Sequence, residues 1–359
     1  MVEWPDAAGG MRGADLAGAF HADLVGPLLA QQFPGLRYAA GRMGSGSDVL
    51  GLDDEMSRDH DWGLRLTILV DEDDRAVVPE VVDLLERVLP DRYRGMPVRF
   101  PMTGDPSTRH RVGVDTVGRF AAGRLAVNPL AGLSTIDWLV PTGQGVLELT
   151  AGPVFVDTTR ELARVRTMLR WYPPDVERYV LAASWQRLAE YFPMVGRTAA
   201  SGDDLGSRLL SSALASDLMR LAFLLHRRWP PYRKWLGTLF SRLLSAPTLT
   251  GPLRATVTAG DWREREGALA EAAGILLRIQ RDRGLPTPAS GVTAFWDRPY
   301  RTVDSAVPAA LYDSITDPDL SRLPLGIGSL EQWVDNVQAL SPERRAATAA
   351  SYRAWLATR

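Results

Sequence analysis

The chain has 359 residues, 45% hydrophobic and 23% charged, the balance of a folded globular protein and more than one ordinary domain of about 100–200 residues. A formal net charge of -2 leaves no basic excess for bulk binding to nucleic acid or a membrane surface, and no run approaches the roughly 18 apolar residues that span a bilayer. Cysteine is absent, which excludes disulfides and thiolate metal sites, and the four histidines (His21, His60, His110, His226) lack zinc-ligand spacing. The opening MVEWPDAAGG has no basic-then-apolar leader, so a cytoplasmic protein is expected. Among the 41 basic residues only Lys234 is a lysine.

In chain order, residues 14–33 carry apolar positions at helical spacing and stop at Pro34-Gly35. LRYAAGRMGSGS reads as a short strand running into a glycine-rich loop, and WGLRLTILV as a strand starting from Asp61 and closed by the acidic turn at 71–74. VVPEVVDLLERVLPDRYRG is helical; PVRFP and HRVGVDTV read as strands. Beyond about Asp157 the pattern changes to helices separated by proline or glycine, and the last 70 or so residues are turn-rich with short helices. The expectation is an α+β protein: a mixed sheet with helices over 1–156, then an α-helical bundle with a turn-rich tail over 157–359.

The chemistry concentrates in GSGSDVLGLDDEMSRDHDWG, residues 44–63, where six carboxylates precede an apolar strand. Asp59 and Asp61, two apart at a predicted strand start, would point to one face roughly 7 Å apart along the chain. Carboxylates so placed can share a pair of divalent cations, and magnesium suits such all-oxygen ligands. Upstream, Gly46-Ser47, followed by Gly51, allows backbone amides and a hydroxyl to approach a phosphate. Gly44-Ser45 fits the same role; Gly46-Ser47 is preferred because Gly51 then completes a GSxxxG pattern.

A Gly-Ser loop followed by Asp-x-Asp on a strand resembles the DNA polymerase β nucleotidyltransferase superfamily. GSDVLGLDDEMSRDHDWGLR, LELTAGPVFVD, GDDLGSRLL and YRKWLGTLF together resemble a bacterial nucleotidyltransferase-like family of unknown function, from about Tyr38 to Leu243. The resemblance implies a nucleotidyltransferase fold and two magnesium ions on Asp59, Asp61 and a third carboxylate, for which Asp115 is the candidate. It implies an NTP substrate, ATP above others, whose NMP group passes to a hydroxyl of a small-molecule acceptor. Gly46, Ser47, Arg58 and Lys234 would contact the phosphates, and Asp203 or Asp204 would face the acceptor. Nucleic acid is not the expected partner, and the oligomeric state is left open. Two alternatives stand beside this reading: protein or tRNA nucleotidylylation in a toxin-neutralising system, and a non-catalytic nucleotide-binding module.

Simpler roles compete for most of these residues. Asp53, Asp54 and Glu55 suit capping and solvation, and Asp203-Asp204 suit the cap of the helix that follows. His60 suits a structural hydrogen bond, Trp62-Gly63 packing, Asp115 an exposed strand position, and Lys234 a solvated helix start. Arg220 and His226 match a loose spacing seen in helical RNase toxins, which is taken as coincidence in an apolar helix.

Overall fold

The computed structural model describes residues 11–58, 61–336 and 338–358. The architecture is α+β, as the residue pattern predicts, and the chain forms two compact units. The first comprises Met1–Leu133 with Gly145–Arg170, and the second Ser134–Gln144 with Trp171–Arg359.

The first unit is built on a five-stranded mixed sheet in the order β5-β6-β2-β1-β7, with β1 Tyr38–Gly41, β2 Arg65–Val70, β5 Arg99–Met102, β6 Asp105–Thr116 and β7 Val154–Asp157. A separate two-stranded ribbon joins β3 Arg92–Tyr93 to β4 Met96–Pro97. β2 runs parallel to β6, pairing Leu66 with Val112 and Thr67 with Gly113, whereas β1 is antiparallel to both β2 and β7. Because strand side chains alternate, Leu66, Ile68 and Val112 share one face. There they pack with Leu16 and Phe20 of α1 (Gly13–Phe20), Leu29 of α2 (Gly26–Gln32) and Val81 and Leu85 of α3 (Val78–Val88). Arg65, Thr67, Gly113 and Asp115 therefore lie on the opposite face. α3 is strongly amphipathic and has Pro79 in its first turn, where the missing amide hydrogen costs nothing. α4 (Val117–Leu125) begins directly at the end of β6, where the Thr116 hydroxyl accepts the Arg119 amide.

The change of pattern near residue 157 falls inside this unit. β7 pairs with β1, and α6 (Glu161–Met168) sends Arg166 back to the carbonyls of Leu149 and Gly152, at the C-terminal end of α5 (Gly143–Thr150) and just beyond it.

The second unit is helical: α7 Pro174–Ala200, α8 Asp204–Leu225, α9 Arg233–Phe240, α10 Ala246–Thr258 and α11 Trp262–Asp282. Its core holds Trp185, whose indole N–H donates to the buried Gln280 side chain at 2.6 Å. Glu177, only 3% exposed at its side chain, accepts from Arg227, Arg283 and Trp171. The tail supplies the ribbon β8 Val292–Ala294 with β9 Arg301–Val303, then α12 Ala306–Tyr312, α13 Leu330–Trp333 and α14 Pro342–Leu356. Among the described residues no helix is long and apolar enough to cross a membrane.

Candidate functional site

A cleft of about 740 Å³ runs along β2 and β6, lined also by α3, α4 and the start of the glycine loop, all within the first unit. Asp115, Gly113 and Thr67 are in its wall. A Cβ on Gly113 would meet nothing nearer than a carbonyl at 4.0 Å, so the glycine leaves room over the sheet.

Five arginines line this cleft, and four have carboxylate partners. Arg42 pairs with Asp48, Arg124 with Glu148, and Arg109 and Arg111 both with Asp105. Arg65 is the exception among the described residues: it donates to the Asp61 carbonyl at 2.9 Å and to the Ser45 hydroxyl at 3.3 Å, with no carboxylate in ion-pair contact. Burial, with Arg42 and Arg124 close by, pushes its pKa down to about 9 despite the offsetting charges of Asp48 and Asp61. It still carries a full charge at neutral pH, with no direct ion-pair partner among the described residues. No feature of the sequence marks it, since an arginine opening a strand reads as a solvated edge residue.

The two glycine-serine pairs have different surroundings. Gly46 (φ +133°) is forced by its own loop, because a Cβ there would lie 2.3 Å from Asp48 Oδ1 and 2.6 Å from Arg42 Nη2. Those two side chains form a bidentate ion pair, 1% and 2% exposed, while Arg42 also donates to the carbonyls of Met43 and Ser45. Gly44 (φ +90°) turns the space its Cβ would fill toward Arg124 and Phe120, both cleft residues. Ser45 meets Arg65, whereas Ser47 starts the short turn Asp48–Leu50, its carbonyl accepting the amides of Leu50 and Leu52. Gly46 also borders the cleft, since a Cβ there would lie 3.1 Å from Arg65 Nη1 as well as against Arg42, so both glycine-serine pairs adjoin it.

The acidic stretch is largely consumed by local bonding. Besides Asp48, Asp53 accepts from the Gly13 amide at 2.7 Å and the Trp62 indole at 3.2 Å, and Asp54 caps Ser57. Asp59 and His60 lie outside the described residues. Asp61 does not open the strand as expected: β2 begins at Arg65, and Asp61 sits four residues earlier with φ 55°, a left-handed conformation. Its Oδ1 accepts the Thr103 amide at 2.6 Å. The following Trp62 is buried and Gly63 also has a positive φ of 135°, so the chain turns sharply before entering the sheet.

The remaining candidates are dispersed. Asp115 lines the cleft, with Oδ1 accepting the Thr116 amide at 2.8 Å and facing Arg119 at 3.1 Å. Arg58 stacks over Trp62 at 4.8 Å and donates to the Met11 carbonyl. Lys234, in the second unit, is exposed and lies over the Trp235 ring at 4.8 Å. Asp203 caps α8 through the Gly206 amide at 2.7 Å. Asp204 binds Arg208 and Arg265, which hold its pKa below the usual carboxylate range. His226 is also accounted for, hydrogen-bonded to Ser245 at 2.7 Å.

A family model described as "Domain of unknown function (DUF4037)" matches residues 138–236. No curated protein matches the chain. Among solved structures, the chain is similar to a nucleotidyltransferase-like protein from Exiguobacterium sibiricum 255-15, at 14% identity and a TM-score of 0.34, covering 76% of this chain and 82% of that one.

Proposed function

We propose that the first unit is a nucleotidyltransferase domain that binds an NTP, ATP above others, and transfers its NMP group to a hydroxyl of a small-molecule acceptor. The observation that carries this reading is the Arg65 guanidinium beside Ser45 and Gly46, without an ion-pair partner among the described residues, on the wall of a cleft of about 740 Å³. Cofactor and ligand pockets commonly measure about 300–1,000 Å³. A guanidinium presents N–H donors in a planar fork that matches phosphate oxygens, and a glycine with positive φ lets the backbone approach them closely. In the transfer, the acceptor oxygen bonds to the α-phosphorus as the bond to the bridging oxygen breaks, and pyrophosphate leaves.

Two magnesium ions on Asp59, Asp61 and Asp115 belong to the proposal. Among the described residues no three carboxylate or imidazole groups converge. Oδ1 of Asp61 and of Asp115 is each engaged by a backbone amide, so the described residues alone do not compose that site.

The test is pyrophosphate release from Mg-ATP in the presence of a small-molecule extract, comparing the native chain with Asp61→Asn. Asparagine tolerates the left-handed backbone and can still accept the Thr103 amide, so the fold survives. Release by the native chain that falls to background in the variant supports the reading; equal release by both overturns it. Label from ATP appearing in a macromolecular band would move the acceptor to protein or tRNA. A nucleotide-binding module without turnover is the second reading, favoured by the engagement of Asp61 with the Thr103 amide, and saturable Mg-ATP binding with no pyrophosphate would select it.

A further inference from the structure

The second unit holds a small cavity of about 70 Å³ walled by α7, α8 and α13, and every residue lining it belongs to that unit. Such a volume holds two or three water molecules at about 30 Å³ each, or a head group of about five non-hydrogen atoms. The family segment at 138–236 supplies both the α7 and the α8 wall.

Its lining charges cancel pairwise except for two. Arg187 pairs with Asp217 at 2.9 Å, and Asp335 with Arg233 at 2.5 Å. That leaves Arg220 and Glu331, which line the same cavity without closing an ion pair among the described residues. Glu331 is held by the Gly143 amide, which donates to Oε2 at 2.9 Å. The next residue, Gln332, is fixed by its side-chain amide donating to the Ser184 hydroxyl and the Val180 carbonyl. Burial raises the Glu331 pKa, while Arg220 and the Gly143 amide oppose the rise. Arg220 and Glu331 are both half-buried, and apart from the Gly143 amide on Glu331 neither has a charged partner among the described residues, so the cavity wall presents one positive and one negative group. A simple anion would satisfy only Arg220, and a simple cation only Glu331.

We propose that this cavity binds the head group of a small α-amino acid, with its carboxylate on Arg220 and its ammonium on Glu331. This inference is independent of the nucleotide reading of the first unit. It is tested by titration calorimetry on the full chain, with glycine, acetate and methylammonium as separate probes. Glycine is expected to bind at least tenfold more tightly than either half-molecule. Arg220→Gln and Glu331→Gln should each weaken glycine at least tenfold, while Arg254→Gln, exposed on α10 and outside the cavity lining, leaves it unchanged. Arg220 makes no ion pair among the described residues, so its variant keeps the fold and decides the matter even if Glu331→Gln unfolds. Absence of glycine binding, acetate binding as tightly as glycine, or glycine binding unchanged in Arg220→Gln would each overturn the proposal and leave a cavity that holds water.

Discussion

Arg42 and Asp48 bear more of the glycine loop's structure than any other pair of residues. Both are almost wholly buried, and deleting one partner of a buried pair leaves an uncompensated charge that typically costs about 3–5 kcal/mol. Asp48→Ala is therefore expected to lower stability by about that amount in urea unfolding, whereas Asp54→Ala, at an exposed cap, should cost only about 1 kcal/mol. The two glycines can be separated in the same way. At Gly46 an alanine methyl meets both members of the ion pair, whereas at Gly51 (φ +63°) it meets nothing within 4 Å. Gly51→Ala should cost about 1–2 kcal/mol for the left-handed backbone alone. Gly46→Ala should exceed it clearly; equal losses would show that the buried pair does not fix the loop.

Among the elements, strand β2 and the long helices were legible because their patterns are purely local: a short apolar run in RLTILV, period 3.6 in α7, α8 and α11. What surrounds β2 was not. Asp61 and Gly63 turn the chain before the strand starts, so Asp61 does not stand on a strand face as its place in the motif suggested. Asp-x-Asp fixes a separation along the chain, whereas the direction of each side chain depends on φ, and a left-handed residue breaks the alternation. Arg65 was missed because its significance lies in a missing partner, which is a property of folded neighbours rather than of any motif. At the α7 N-terminus, Glu177 shows how far tertiary bonding can act on one element. Burial would raise its pKa, but Arg227 and Arg283 bring it below the usual glutamate value. A depressed carboxylate contributes stability that is present above its unfolded pKa and lost as pH falls through the folded one. The melting-temperature gap between the native chain and Glu177→Gln should thus be full at pH 7 and shrink below about pH 4.5. A gap that widens in acid would contradict the assignment.

At the scale of the whole molecule, the chain joins a sheet unit with a charged cleft to a helical unit with its own small polar cavity. The acidic loop, which dominates the sequence, turns out to act mostly as internal scaffolding: its described carboxylates hold Arg42, the start of α1, Trp62 and the Thr103 amide. Of the arginines lining the cleft beside it, Arg65 is the one without a carboxylate in ion-pair contact among the described residues. Lys234, the sole lysine, is exposed over the Trp235 ring in the other unit.

The most direct test of the account is hydrogen exchange of the native chain with and without saturating Mg-ATP, read by mass spectrometry peptide by peptide. Protection confined to peptides covering 42–50, 61–70 and 111–116, and absent when Arg65 is replaced by glutamine, is the predicted result. Protection that appears elsewhere while those three stretches exchange at unchanged rates, or that survives intact in Arg65→Gln, would contradict it.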